Sequence, residues 1–162
     1  MIKKKICVLG AYSVGKTSLI QRFVKSIFSD KYHTTIGVKI DQKDVTTEEG
    51  IVRLILWDIN GEDEFQHVKT NYLIGASGYL LVVDGTRESS YHIAKELQAL
   101  MQSTVGDIPF VVLINKEDLK DEWEINSMVE EDLKKENWEY LFTSAKTGKN
   151  VQKAFDLLVS KM

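Results

Sequence analysis

One cysteine and one proline are all that this 162-residue chain holds of either residue. A lone cysteine cannot close an internal disulfide, so a stapled secreted scaffold is excluded and a reducing compartment is expected. Cys7 lies within Ile6-Cys7-Val8-Leu9 and reads as a small buried hydrophobe. Pro109 opens an apolar run, where a missing N–H is tolerated. No run approaches the roughly 18 apolar residues of a membrane span, so none is expected. Lys3-Lys4-Lys5 precedes too short an apolar stretch for a signal peptide. The formal charge of −3 argues against general nucleic-acid or membrane-surface binding. No repeat, linker or low-complexity stretch is visible. The chain ends Val159-Ser160-Lys161-Met162 without a cysteine to prenylate, so a cytoplasmic location is expected. The composition that remains, 43% hydrophobic and 28% charged, suits an ordinary globule. Residues 1–162 are expected to form one domain, a monomer, with a substantial core.

Short apolar runs alternate with helical patterns. Ile6–Leu9, Gly78–Val83 and Phe110–Ile114 are apolar throughout, as in strands covered on both faces. Leu19, Ile20, Phe23 and Val24 make one helical face, and Ile93, Leu97, Leu100 and Met101 another. Val151, Ala154, Phe155, Leu158 and Val159 make the last. Val38–Thr46 and Ile51–Trp57 flank Thr47-Glu48-Glu49-Gly50, a hairpin turn that would add one antiparallel strand to a parallel sheet. These features predict an α/β layer sandwich with ligand at the carboxyl ends of the strands.

Four segments carry chemistry. Gly10-Ala11-Tyr12-Ser13-Val14-Gly15-Lys16-Thr17 fits the phosphate-loop pattern Gly-x-x-x-x-Gly-Lys-Ser/Thr. It follows a strand and opens a helix, so the backbone N–H groups from Tyr12 to Ser18 can surround an anionic phosphate. Gly15 allows close approach, Lys16 places a charge between β- and γ-phosphates, and the Thr17 hydroxyl suits Mg²⁺. Asp58 ends a strand and can hold a Mg²⁺-bound water, while the Gly61 N–H can approach a γ-phosphate.

The other two segments can read guanine. Asp118, in Asn115-Lys116-Glu117-Asp118, can accept from the N1–H and N2–H₂ donors that adenine lacks. The Lys116 stem can lie on the base plane. Asn115 can tie this loop to the phosphate loop or to the base. In Thr143-Ser144-Ala145-Lys146 the Ala145 N–H can donate to O6, and Phe28 can pack on the guanine edge.

With these residues in place, the chain resembles the Ras-like small GTPases, and most closely their Rab branch, over essentially its whole length. Tyr32-His33-Thr34-Thr35-Ile36-Gly37-Val38 looks like the first switch. Trp57-Asp58, Gly61, Phe65, Tyr72 and Gly75-Ala76 look like the second. The resemblance implies a three-layer P-loop G domain: a mostly parallel six-stranded sheet with one antiparallel strand and helices on both faces. It implies GTP or GDP with Mg²⁺, Thr35 on the metal and γ-phosphate, and Tyr32 closing over the phosphates. It also implies effectors and regulators that contact residues 30–40 and 58–75. Trp57 is either an anchor for them or an ordinary strand-end core residue.

The chain departs from the family at positions that govern hydrolysis. The second switch reads Asp58-Ile59-Asn60-Gly61-Glu62-Asp63, so Glu62 stands where the family has the glutamine that orients water. Tyr12 replaces a small residue, and its ring either crowds the γ-phosphate or points to solvent. Weak or partner-dependent hydrolysis is therefore expected, with Lys16, Thr35, Gly61 and Glu62 as the catalytic set. The rivals are a non-hydrolysing interaction module and an ATPase or kinase, the latter opposed by Asp118. His33, His67 and His92 read as surface residues, and Glu130-Glu131-Asp132 as a solvated helix face.

Overall fold

The computed structural model describes residues 1–28, 37–59 and 68–162. Six strands form one sheet: β1 (Ile2–Gly10), β2 (Val38–Thr47), β3 (Gly50–Ile59), β4 (Gly78–Asp84), β5 (Phe110–Asn115) and β6 (Tyr140–Phe142). Their order is β2-β3-β1-β4-β5-β6. Among the described residues only β2 and β3 pair antiparallel, through a hairpin that closes at Thr47 opposite Gly50; the other pairs are parallel. The helices are α1 (Lys16–Lys25), α2 (Ser89–Val105), α3 (Ser127–Lys135) and α4 (Val151–Lys161).

Side chains alternate across a strand, and here both faces are buried, which is why the runs are apolar without a break. Ile6, Val8, Leu80, Val82, Val111 and Leu113 face Leu19, Ile20 and Phe23 of α1 and Ala154, Phe155 and Leu158 of α4. Cys7, Leu9, Tyr79, Leu81, Val83, Val112 and Ile114 face Tyr91, Ala94, Leu97 and Met101 of α2 and Val129 and Leu133 of α3. The result is the three-layer sandwich expected. Each large side chain so buried contributes roughly 1.5–3 kcal/mol. The α1 and α4 layer is joined by stacked Phe23 and Phe155 rings, 3.7 Å between centroids. Burial pushes the Cys7 thiol up to about 11, consistent with a buried apolar role.

Helix α3 is less solvated than its acidic run suggests. Asp132 accepts from the Tyr91 hydroxyl and, at 2.8 Å, from Lys95, both on α2. Glu130 accepts from the Tyr140 hydroxyl at 3.2 Å. Sequence periodicity shows which positions share a face but not which partners stand opposite, so these ties were not visible in the chain alone. All the parallel strands end on one edge of the sheet, which carries Gly10, Asp58, Asp84, Asn115 and Thr143.

Candidate functional site

At the end of β1 the chain curls tightly. Ser13 and Gly15 both take positive φ, 67° and 103°, within residues that then enter α1. Such alternation makes a concave run of backbone N–H groups. Lys16 folds back over it, 6% exposed, and donates to the Gly10 and Ala11 carbonyls at 3.2 and 3.0 Å. Burial pushes its ammonium down to about 8; Asp58 opposes that fall and Arg87 adds to it.

Thr17 Oγ1 donates to Asp58 Oδ2 at 2.6 Å, and Asp58 is almost wholly buried. Mg²⁺ takes hard oxygens at about 2.0–2.1 Å in an octahedron, where adjacent ligands lie about 3 Å apart. A hydroxyl and a carboxylate this close fit one edge of that geometry, directly or through water. Thr17 and Asp58 are therefore the described residues that could hold the metal.

The phosphate loop is braced by the β5 loop. Asn115 Nδ2 donates to the Val14 carbonyl at 3.0 Å, and Asn115 Oδ1 accepts from Thr143 Oγ1 at 3.1 Å. Asn115 thus ties loop to loop, the first of the two roles considered for it. Lys116 Nζ donates to the Ser13 carbonyl at 3.1 Å. In a planar trans peptide the C=O and the following N–H point opposite ways. Drawing the Ser13 and Val14 carbonyls toward β5 turns the Val14 and Gly15 N–H groups into the loop.

The 3-10 turn Glu117–Glu122 follows Lys116, which sits in the left-handed region at φ 70°. Asp118 Oδ1 accepts from Ser144 Oγ at 2.7 Å, which fixes the plane of the carboxylate. The Ser144 carbonyl accepts Gly148 N–H at 2.8 Å, so the Ala145 N–H faces the other way. Arg22 of α1 donates to the Ala145 carbonyl at 2.8 Å and to that of Lys146. The two motifs, 26 residues apart at Asp118 and Ser144, thus meet at one end of the site.

Ser18 lies in the first turn of α1, and Phe28 packs on the α1 and α4 side of the core. Tyr12 is 38% exposed. Trp57 is half-buried, 6.4 Å from the Tyr72 ring and covered by Lys5 Nζ at 3.6 Å, so it joins core to surface. Tyr32, Thr35, Gly61, Glu62, His33 and His67 lie outside the described residues.

Asp84 and Trp123 are among the residues of the site that escaped the motif reading. Asp84 ends β4 opposite Asn115, 1% exposed, with Oδ2 at 2.8 Å from Lys116 Nζ. Burial favours its neutral form, yet hydrogen bonds from Lys116 and Thr86 and the Lys116 charge hold the carboxyl below its ordinary range. The available signal was an acid at a strand end beside a glycine. Trp123 donates from Nε1 to the Lys116 carbonyl at 2.8 Å and supports the Asn115–Asp118 loop from behind.

Gly85 makes room for that indole. A Cβ there would lie 2.2 Å from Trp123 Cε2. Gly85→Ala is expected to displace the ring and cost about 1–3 kcal/mol. At roughly 2–4 °C per kcal/mol for this size, a thermal melt should show a fall of several degrees; an unchanged melt would contradict the packing.

Comparison with known proteins agrees with this geometry. The sequence profile of the Ras family matches residues 5–162. Ras-related protein Rab-7b of Bos taurus is 32% identical over 161 residues, 97% of this chain and 80% of that protein. Ras-related protein Rab-27B of Bos taurus is 34% identical over 168 residues, covering 96% and 77%. Ras-related protein RABA1g of Arabidopsis thaliana is 31% identical over 163 residues, covering 98% and 74%. A Gly-x-x-x-x-Gly-Lys-Thr loop braced by the loop after β5, on a sheet of this order and in a chain matched almost end to end, marks this protein as a member of the Ras family of GTP-binding small GTPases, of Rab-like type.

Proposed function

We propose that this GTPase is a guanine-nucleotide switch whose own hydrolysis is weak or completed by a partner. The observation that carries this reading is Glu62 in the run Gly61-Glu62-Asp63-Glu64. A glutamine amide at that place accepts from the attacking water and donates to the transferring phosphoryl group. An ionised glutamate cannot donate, and its charge opposes the triphosphate.

The other roles rest on the chemistry at the strand ends and, for Tyr32, Thr35 and Gly61, on the family resemblance. Backbone N–H groups from Tyr12 to Ser18 cradle the phosphates, and Lys16 bridges β and γ. Thr17, Thr35 and Asp58 would hold Mg²⁺, which when bound would neutralise charge between the phosphates. Asp118 takes the guanine N–H donors, Ala145 donates to O6, Lys116 and Phe28 flank the ring, and Lys146 lines the edge. Thr35 and Gly61 amides sense the γ-phosphate and Tyr32 covers it, so hydrolysis releases residues 30–40 and 58–75 from their GTP-bound form. Effectors and regulators read those segments, with Trp57 as a contact. The unit is one domain, residues 1–162, acting as a monomer.

Glu62→Gln is expected to speed single-turnover hydrolysis by about tenfold, equivalent to ~1.4 kcal/mol of barrier. An unchanged rate would place the defect elsewhere, with Tyr12 the next position to vary. The acidic run also favours a second reading, a nucleotide-bound module that does not hydrolyse. GTP that persists through purification and in the Glu62→Gln variant would select it.

A further inference from the structure

Two of the backbone N–H groups in the phosphate-loop cradle, those of Val14 and Gly15, are aimed inward by contacts from the motif residues Asn115 and Lys116. Asn115 and Lys116 draw the Val14 and Ser13 carbonyls outward. The carbonyl before these, that of Tyr12, accepts from Arg87 Nη2. By the same peptide planarity, this third pull aims the Ser13 N–H into the loop.

Arg87 is held from both ends. Its backbone N–H donates to the Asp84 carbonyl at 3.0 Å, and its own carbonyl accepts from the buried Ser90 hydroxyl at 2.6 Å. Ser90 Oγ also reaches the Asp84 carbonyl at 3.1 Å and accepts from the Asp84 N–H at 2.9 Å. The guanidinium Nε lies 3.2 Å from Asp84 Oδ2, the oxygen that also takes Lys116. Asp84 Oδ1 is occupied by the Thr86 N–H and hydroxyl at 2.8 and 2.7 Å. One buried carboxylate therefore orients two cations, and each cation grips a neighbouring carbonyl of the phosphate loop. A planar fork suits this task, because it can serve a carboxylate and a carbonyl at once.

We propose that Arg87, oriented by Asp84, is a positioning residue for the β-phosphate: it braces the phosphate loop from outside and so sets how tightly a nucleoside diphosphate is held. This rests on the guanine-nucleotide reading above. Arg87 makes no contact with substrate in this scheme, and Asp84 acts on the loop only through Arg87 and Lys116. Removing Arg87 leaves the Tyr12–Ser13 peptide to turn, while Asn115, Asp118 and Ser144 keep the base end intact.

The test is competition of GDP and GMP against a fluorescent GDP analogue, on the full chain and on Arg87→Ala. GMP lacks the β-phosphate, so the ratio of the two affinities isolates the brace from general stability. Arg87→Ala is expected to lower that ratio about tenfold, the factor carried by ~1.4 kcal/mol, while GMP binding stays within about twofold. Arg87→Gln, which keeps a donor but loses the charge that Asp84 holds, should fall between. Asp84→Asn should lower the ratio too, and the double variant Asp84→Asn with Arg87→Ala should lose less than the sum of the two. Equal weakening of GDP and GMP, or an unchanged ratio in both Arg87 variants, overturns the brace. If the parent protein binds GDP and the ratio is unmoved, the brace alone falls; if the parent binds no GDP, the nucleotide reading falls with it.

Discussion

Asp118→Asn is expected to weaken GDP binding by about a hundredfold or more and to shift preference toward xanthosine diphosphate. Ser144 Oγ donates to Asp118 Oδ1 at 2.7 Å, which sets the carboxylate plane while leaving lone pairs on both oxygens. In the proposed pose the two oxygens accept from guanine N1–H and N2–H₂. Hydrogen bonds to a charged group are worth about 1.5–3 kcal/mol each, so losing one, setting a donor against the freed guanine N–H and taking the charge from the bond that remains together exceed a hundredfold. A carboxamide keeps one acceptor and replaces the second with a donor. Xanthine presents an N–H beside a carbonyl oxygen, which that amide can pair. Competition binding with GDP and xanthosine diphosphate checks this; retained GDP preference would remove Asp118 from the base site.

The second large effect is expected from Gly15→Ala. Gly15 has φ 103°, and a Cβ on it would sit 2.4 Å from Asn115 Nδ2. Two penalties add. An alanine held in that backbone region costs about 1–3 kcal/mol. The displaced Asn115 also loses its bonds to the Val14 carbonyl and to Thr143, and with them the join between phosphate and base loops. The thermal midpoint should fall by roughly 5–10 °C, at 2–4 °C per kcal/mol. Nucleotide binding should fall further than that loss of stability explains. Gly106→Ala is the comparison: its φ is 85°, yet nothing lies within 4 Å of the added carbon. That variant should pay the backbone cost and keep nucleotide affinity. Equal affinities in the two would show that the Asn115 contact is unimportant.

Much of the fold was legible because strands buried on both faces leave unbroken apolar runs, as in Gly78–Val83. The hairpin was legible because Thr47-Glu48-Glu49-Gly50 is a turn signal set between two strand-like runs, Val38–Thr46 and Ile51–Trp57. Loops carrying motif glycines and strand-end polar residues revealed Gly15, Lys16, Thr17, Asn115 and Asp118, whose types match a stated chemistry. Asp84, Arg87 and Trp123 were not legible. They act through carbonyls and through one another, and a contact to a carbonyl leaves no pattern in the sequence. The partners of Asp132 were hidden for the same reason: helical spacing gives the face of α3 but not that Tyr91 and Lys95 stand across from it.

The most direct test of the account is single-turnover hydrolysis of Mg²⁺-GTP by the purified protein, with the nucleotide it carries first identified by chromatography. Guanine nucleotide is expected in the site, with a rate clearly below the roughly 4 × 10⁻⁴ s⁻¹ at which Ras alone hydrolyses GTP. Bound GDP together with turnover at or above that rate would contradict it, and would require Glu62 to position water as well as glutamine does.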